Sequence, residues 1–266
     1  MKAFPKDIEV TTLTERHIGI ESELYVGEDG DHVPSGVEQA LHEQGLLQSI
    51  GYDGGGREFR TNPISIKSIL KQKKGQAYLT AYYAVLKANT RVTEYGGTHI
   101  HISILDSDHK NMESNAVALA EVFYTQFQKI AGRQSHWAKK LSQRCGQSFT
   151  NIDEIREYIA GRTCESWSGE NKPRTYVMKG SILGPTGHKT LEFRGPVGSN
   201  DSEEILAWVE FLDIVVKTAN RKSVHGVQFM DLITGPRISE YVKKLDGWRV
   251  LTDAELTKTV NEKELV

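Results

Sequence analysis

The sequence lacks the features that mark secreted and membrane proteins. It contains two cysteines, Cys145 and Cys164, which are too few for a disulfide framework and do not have the spacing of a metal-binding pair. No apolar run reaches the roughly 18 residues of a membrane span. The opening segment, MKAFPKDIEV, lacks the apolar centre of a signal peptide. We therefore expect a reduced, cytoplasmic protein with no membrane partner.

An excess of charge of either sign is also missing. The 266 residues include 33 Lys and Arg against 35 Asp and Glu, which gives a formal net charge of −2. A balance of this kind produces no field that attracts nucleic acid, so we do not expect nucleic acid to be the main partner. With 38% hydrophobic residues, the chain suits one large globular domain.

The chain does contain strand patterns separated by helical ones, without the regular alternation that builds a parallel sheet. Strand patterns cover residues 16–26, 96–105, 175–183 and 189–195. Helical spacing covers residues 64–89, where Gly75 is a candidate break, and residues 113–130, 151–161 and 202–216. These patterns predict an α+β fold with a mainly antiparallel sheet. They also predict a helical insertion at about residues 106–173 and a helical C-terminal region at about residues 200–266.

Two pairs of carboxylates accompany the first strand patterns. In GIESE, Glu21 and Glu23 share one strand face. They are either a solvated edge or, if buried, a pair that needs cations. In YDGGGREFRTNP, Asp53 and Glu58 flank three glycines, which form either a flexible turn or a backbone that approaches a ligand closely. Carboxylate ligands of this kind favour Mg²⁺ or Mn²⁺.

The segment GGTHIHISIL, residues 96–105, has two histidines where a buried strand would have apolar side chains. His99 and His101 share one face, and the isoleucines between them share the other, which we expect to face the core. In KTLEFRGP, Glu192 and Arg194 share a face. They are either a surface ion pair or a cation-binding carboxylate beside a phosphate-binding arginine. Together, carboxylates, imidazoles and arginine on separate strands indicate nucleotide-phosphate chemistry.

These four motifs, in this order, resemble those of the amidoligases, which are carboxylate–amine ligases of the glutamine synthetase and glutamate–cysteine ligase superfamily. The glycine-led His-x-His strand and the late Glu-x-Arg-x-Pro strand recur in glutamine synthetases. DGGGREF is similar to a segment of the Pup ligase and depupylase branch. The resemblance implies one catalytic domain over residues 1–266, with a mainly antiparallel sheet that curves into a funnel and is packed with helices.

The resemblance also implies roles for individual residues. The implied ligands of Mg²⁺ or Mn²⁺ are Glu21, Glu23, Glu58, His99 and Glu192. Arg194 would contact the transferred phosphate. Arg133 and Arg174 fall where amidoligases have arginines that bind phosphate or substrate. Asp53 and His101 are the two candidates for the catalytic base, and the resemblance leaves the choice between them open.

The implied activity is the joining of a carboxylate and an amine into an amide, with ATP consumed and an acyl phosphate as the intermediate. The substrates would be small molecules or peptides, and the protein could form homo-oligomers. Two other activities stay open: a depupylase-like amide hydrolase with the same metal site, and a metal-dependent phosphotransferase. A non-catalytic binding module is disfavoured by the complete acidic set. We expect the loops at residues 106–115 and 161–175 to select the substrates.

Overall fold

A computed structural model of the chain describes residues 14–26, 33–53, 56–93, 96–132, 140–160, 177–183 and 188–261. The main strands are β1 (His17–Val26), β2 (Leu47–Asp53), β3 (Gly56–Thr61), β6 (Thr98–Ser103), β7 (Val177–Leu183) and β8 (His188–Phe193). They form an open sheet in the order β2-β3-β1-β6-β8-β7. Two short strands, β4 (Ile64–Ser65) and β5 (Thr90–Arg91), pair with β1. Every pairing among the described strands is antiparallel, which confirms the predicted α+β class.

The strands β1 and β6 alternate between a core face and a polar face, as the sequence predicts. The side chains of Ile18, Ile20 and Leu24 in β1 are buried, and so are those of Ile100 and Ile102 in β6. Each of these side chains stabilises the fold by about 1.5–3 kcal/mol, because its apolar surface is removed from water. The opposite face of the same two strands is therefore left for polar side chains.

Helices surround the core face of the sheet. They are α1 (Ser35–Glu43), α2 (Ile66–Lys71), α3 (Lys73–Asn89), α4 (Met112–Val122), α5 (Tyr124–Ala131), α6 (Leu141–Cys145), α7 (Ile152–Ala160), α8 (Ser202–Ala219), α9 (Pro236–Lys243) and α10 (Asp253–Leu256). Their buried apolar side chains form one cluster with those of the sheet. The long helix α8 contacts α2, α3, α4 and α9. No helix in the described part of the chain is long and apolar enough to cross a membrane.

The helical pattern over residues 64–89 is divided at Gln72, not at Gly75 as expected. Gln72 has an extended backbone, with φ −119° and ψ 123°, and it separates α2 from α3. Gly75 lies inside α3, where a Cβ atom would be only 2.4 Å from the carbonyl oxygen of Ser68 in α2. The glycine therefore permits the two helices to pack closely, and it does not end either of them.

The loop after β6 is fixed to the sheet and to the end of α8. The guanidinium of Arg16, just before β1, forms a two-pronged ion pair with Asp108. The backbone N–H of His109 donates to Asn220 Oδ1, at the end of α8, at 2.6 Å. Residues 106–115, one of the two loops expected to select the substrates, are therefore held both by the residue that precedes β1 and by the end of α8. The other, residues 161–175, lies outside the described residues.

Candidate functional site

The polar face of the sheet gathers the carboxylates and histidines that the sequence singles out. They come from the adjacent strands β3, β1, β6 and β8, so the backbone ladder fixes their spacing. This group, called here the acid–histidine face, consists of Glu21, Glu23, Glu58, His99, His101 and Glu192. All five predicted metal ligands and one of the two candidate bases therefore lie together.

The register of the strands aligns these side chains in rows across the sheet. Glu21 of β1 lies opposite Arg60 of β3 on one side and opposite His99 of β6 on the other. In the neighbouring row, His101 of β6 lies opposite Glu192 of β8. Side chains directly opposite each other in an antiparallel pair are within contact distance. Acidic and basic groups consequently alternate along these two rows, whereas in a third row Glu58 of β3 lies opposite another carboxylate, Glu23 of β1.

The imidazole of His99 lies among three carboxylates. Its Nδ1 atom is 3.4 Å from Glu21 Oε2 and 3.8 Å from Glu192 Oε1, and its Nε2 atom is 3.5 Å from Glu23 Oε1. The Nε2 atom of His101 is 3.4 Å from the second oxygen of Glu21. Both rings are buried. A histidine in these surroundings either shares a proton with the carboxylates or offers a ring nitrogen to a metal ion.

The glycines before His99 hold Glu23 in place. The backbone N–H of Gly97 donates to Glu23 Oε2 at 2.5 Å, and the backbone N–H of Glu23 donates to the Gly97 carbonyl at 2.9 Å. A Cβ atom on Gly96 would lie 2.5 Å from the carbonyl oxygen of Glu23. The close approach of the two strands therefore requires glycine at this position. A backbone N–H therefore orients the carboxylate of Glu23.

Two carboxyl groups of the face differ in their affinity for a proton. Burial raises the pKa of Glu21, but hydrogen bonds with His101 and His99 outweigh burial and bring the pKa below its ordinary value. Burial and the neighbouring charge of Glu21 raise the pKa of Glu58 to about 8, against the opposing effect of Arg60. Carboxylates this close do not both ionise unless more positive charge is present.

Three residues of the acid–histidine face offer ligand atoms that are close enough for a single metal ion. One atom each from Glu21, Glu58 and His99 lies within 4.8 Å of the others. Two carboxylates and an imidazole suit Mn²⁺, and carboxylate-rich sets suit Mg²⁺. Glu23 and Glu192 adjoin this set through His99. The residues present therefore fit the divalent ion that the sequence motifs imply.

In the described part of the chain, two arginines border the acid–histidine face, and only one of them was predicted. Arg194 forms an ion pair with Glu192, in agreement with its predicted place beside a carboxylate. Arg60 forms an ion pair with Glu58, and its Nε atom is 3.6 Å from Glu21 Oε1. The sequence holds a signal for Arg60, because the tripeptide Glu-Phe-Arg occurs twice, once ending at each arginine.

The four strands of the site have an approximate twofold pattern. Residues 19–23 of β1 read Gly-x-Glu-x-Glu, and residues 97–101 of β6 read Gly-x-His-x-His. Each of these strands is flanked on its outer side by a strand that carries Glu-Phe-Arg. The register places Glu21 opposite His99, so these two residues lie at the centre of the pattern. One half of the site is therefore acidic, and the other half carries imidazole.

The side chains of three further predicted residues lie outside the described part of the chain. Asp53 is the last residue of β2 and pairs with Gly56 of β3, but its side chain lies outside the described part of the chain. Arg133 and Arg174 both lie outside the described residues. The roles predicted for these three residues stay predictions.

No protein-family model and no curated protein matches the chain. It is similar to a chain in the crystal structure of the complex between the prokaryotic ubiquitin-like protein Pup and its ligase PafA. That match has 12% identity and a TM-score of 0.37, and it covers 90% of this chain and 53% of the other. It is also similar to a bifunctional glutathione synthetase from Pasteurella multocida. That match has 12% identity and a TM-score of 0.44, and it covers 91% of this chain and 48% of the other. The chain thus spans about half the length of each. Likeness at this level decides nothing about its activity.

Proposed function

We propose that the protein is an ATP- and divalent-metal-dependent ligase that joins a carboxylate to an amine through an acyl phosphate. The observation that carries the proposal is the compact donor set of Glu21, Glu58 and His99, with an arginine on either side of it. Among the described residues, four carboxylates on this face stand against two guanidinium groups, and a bound divalent cation would supply the balancing positive charge. The reaction class is inferred from the four sequence motifs, whose order resembles that of the carboxylate–amine ligases.

The metal would be held by the residues that the motifs imply. These ligands are Glu21, Glu23, Glu58, His99 and Glu192. A bound Mg²⁺ or Mn²⁺ would neutralise the negative charge of nucleotide phosphates and of the acceptor carboxylate, which otherwise repel each other. The task of the protein in this respect is to fix the ligand oxygens in advance, as the Gly97 N–H does for Glu23.

In the first step, an oxygen of the substrate carboxylate attacks the γ-phosphorus of ATP, and the bond from that phosphorus to ADP breaks. Negative charge on the transferred phosphoryl group is stabilised by Arg194, whose position beside Glu192 faces the site. Arg133 and Arg174 are proposed to bind the phosphates or the substrate. The product of this step is an acyl phosphate with ADP.

In the second step, the amine nitrogen attacks the acyl carbon, and the bond from that carbon to phosphate breaks. The amine must lose a proton, which passes to a base. His101 lies on the acid–histidine face with Nε2 3.4 Å from Glu21 Oε1, and Asp53 ends the neighbouring strand β2. Both stay candidates for the base. The acid and the amine are proposed to be small molecules or peptide groups, and residues 1–266 are proposed to act as one catalytic domain in the cytoplasm.

The experiment is ADP formation from Mg-ATP by the purified protein, screened against pools of amino acids and amines. We expect ADP release that requires one acid and one amine, with the matching amide detected by mass spectrometry. Glu192→Gln should reduce this rate by roughly two orders of magnitude or more, because a charge that organises the metal is lost. Glu240→Gln, a matched change in a surface ion pair of α9, should leave the rate unchanged.

Wild-type ADP release from Glu192→Gln would contradict the metal assignment. Cleavage of an amide without net ATP turnover would identify the hydrolase instead, and phosphorylation of an acceptor without amide formation would identify a phosphotransferase. No nucleotide binding by the wild-type protein would overturn the proposal as a whole.

A further inference from the structure

Arg60 contacts two of the three residues that form the compact donor set. Its guanidinium forms an ion pair with Glu58, and its Nε atom is 3.6 Å from Glu21 Oε1. These two carboxylates, together with His99, are the compact donor set. One guanidinium therefore serves as the positive charge for two carboxylates that would otherwise ligate a divalent ion.

A guanidinium and a divalent cation compete for the charge of these two carboxylates. An arginine forms directional hydrogen bonds to carboxylate oxygens, which occupies lone pairs that a metal would use. The two cations would also repel each other strongly at such a separation. Entry of a metal into the set of Glu21, Glu58 and His99 is therefore opposed by Arg60 in its present contacts and favoured when the guanidinium moves away.

The surroundings of Arg60 provide both a fitted resting place and a way out. Opposite Glu58, on the edge strand β2, stands Gly51, where a Cβ atom would lie 3.0 Å from Arg60 Nη1 and 3.2 Å from Glu58 Oε2. The absence of a side chain there gives the ion pair its room. The Arg60 side chain is 37% exposed, against 14% for Arg194. It can turn into solvent without disturbing the core.

We propose that Arg60 is an exchangeable counter-ion, which neutralises Glu21 and Glu58 in the metal-free protein and yields its place when a divalent cation binds. This inference rests on the metal site of the proposed function. It assigns to Arg60 a regulatory effect on metal affinity, which differs from the phosphate contact proposed for Arg194.

The test is Mn²⁺ binding to the metal-free protein without nucleotide, measured by electron paramagnetic resonance of the free ion. Arg60→Gln should bind Mn²⁺ roughly tenfold more tightly than the wild type, because the competing charge is gone. Saturating Mn²⁺ should also raise the melting temperature of Arg60→Gln by more than it raises that of the wild type. Neither readout depends on turnover.

Two further variants isolate the cause. Arg57→Gln removes the same charge from the same strand. Arg57 lies on the opposite face of β3 from Glu58 and Arg60, with its guanidinium over the ring of Tyr52, so Mn²⁺ affinity should not change. Gly51→Ala crowds the resting guanidinium, whose flexible end can give way, and should tighten Mn²⁺ binding by less than Arg60→Gln does. Both variants retain Arg60 itself.

Mn²⁺ binding that is weaker in Arg60→Gln, or equal to the wild type, would show that Arg60 organises the site or is unrelated to it, and would overturn the exchange. In that case the wild type still binds Mn²⁺, so the proposed metal site survives. If neither protein binds Mn²⁺, the metal site fails together with the inference.

Discussion

The strands β3 and β8 carry the same tripeptide, Glu-Phe-Arg, at the same distance from the centre of the site, but their surroundings differ. Glu58 of β3 lies opposite another carboxylate, Glu23, whereas Glu192 of β8 lies opposite an imidazole, His101. The β3 copy therefore has an excess of negative charge, and the β8 copy does not. Identical local sequences acquire different chemistry because the partner strands differ.

The largest effect that we expect falls equally on both copies. Phe59 and Phe193 are fully buried on the core face, so each change to alanine should lower the free energy of unfolding by about 3–5 kcal/mol. Chemical denaturation of the two variants measures this. Costs that differ by much more than 2 kcal/mol would show that the two strands are not equivalent even in the core.

Changes to Arg194 in β8 and to Arg60 in β3 should have different effects on kcat. Arg194→Gln should lower kcat by about 100-fold, since a charge that stabilises the transferring phosphoryl group is lost. Arg60→Gln should change kcat by less than about tenfold, because its effect is on metal affinity. Steady-state rates at saturating metal and ATP provide the comparison. Equal losses in kcat would erase the functional difference between β3 and β8.

The close approach of Gly96 to Glu23 has no counterpart in the acidic half, where Ile18 stands at the equivalent place in β1. Gly96→Ala should cost about 1–3 kcal/mol of stability, because its Cβ would lie 2.5 Å from a backbone oxygen. Gly36→Ala, in α1 with nothing within 4 Å, is the control and should stabilise the protein by about 0.5–1 kcal/mol. Thermal unfolding of both variants checks the contrast.

The smallest effect concerns the residue two positions before each glutamate, which is Thr190 in β8 and Gly56 in β3. The Thr190 hydroxyl is 3.3 Å from His101 Nδ1. Thr190→Val keeps the shape and removes this hydrogen bond, which should cost about 0.5–1.5 kcal/mol. It should also shift the ring-nitrogen NMR signals of His101. Unchanged signals would mean that the threonine does not orient the ring.

The sequence was sufficient for what depends on neighbouring residues. Alternation along β1 and β6 correctly assigned Ile100 and Ile102 to the core and both histidines to the other face, because strand periodicity is a local property. It was insufficient for pairing between strands. The place of Arg60 between Glu21 and Glu58 depends on the register of β3 against β1, which no single segment specifies.

The same limit explains the error at Gly75. A glycine in a helical pattern is ambiguous in sequence, because it either ends a helix or permits another element to approach. Only the packing of α3 against Ser68 of α2 distinguishes these outcomes. The buried Glu121 of α4 is a similar case. It accepts hydrogen bonds from the backbone of Leu141 and the side chain of Ser142 at the start of α6, a long-range capping role that has no local sequence pattern.

The position of β1 in the middle of the sheet has a consequence for synthesis. Glu23 meets its backbone donor 74 residues later in the chain, and the carboxylate of β8 follows only after helices α4 to α7. Contacts between distant segments form slowly, because loop closure must come first. A nascent chain that ends before β8 therefore carries the acidic strand without its full set of partners. The acid–histidine face is complete only once β8 has paired with β6, so ligand binding there would report on the pairing of all four strands of the site.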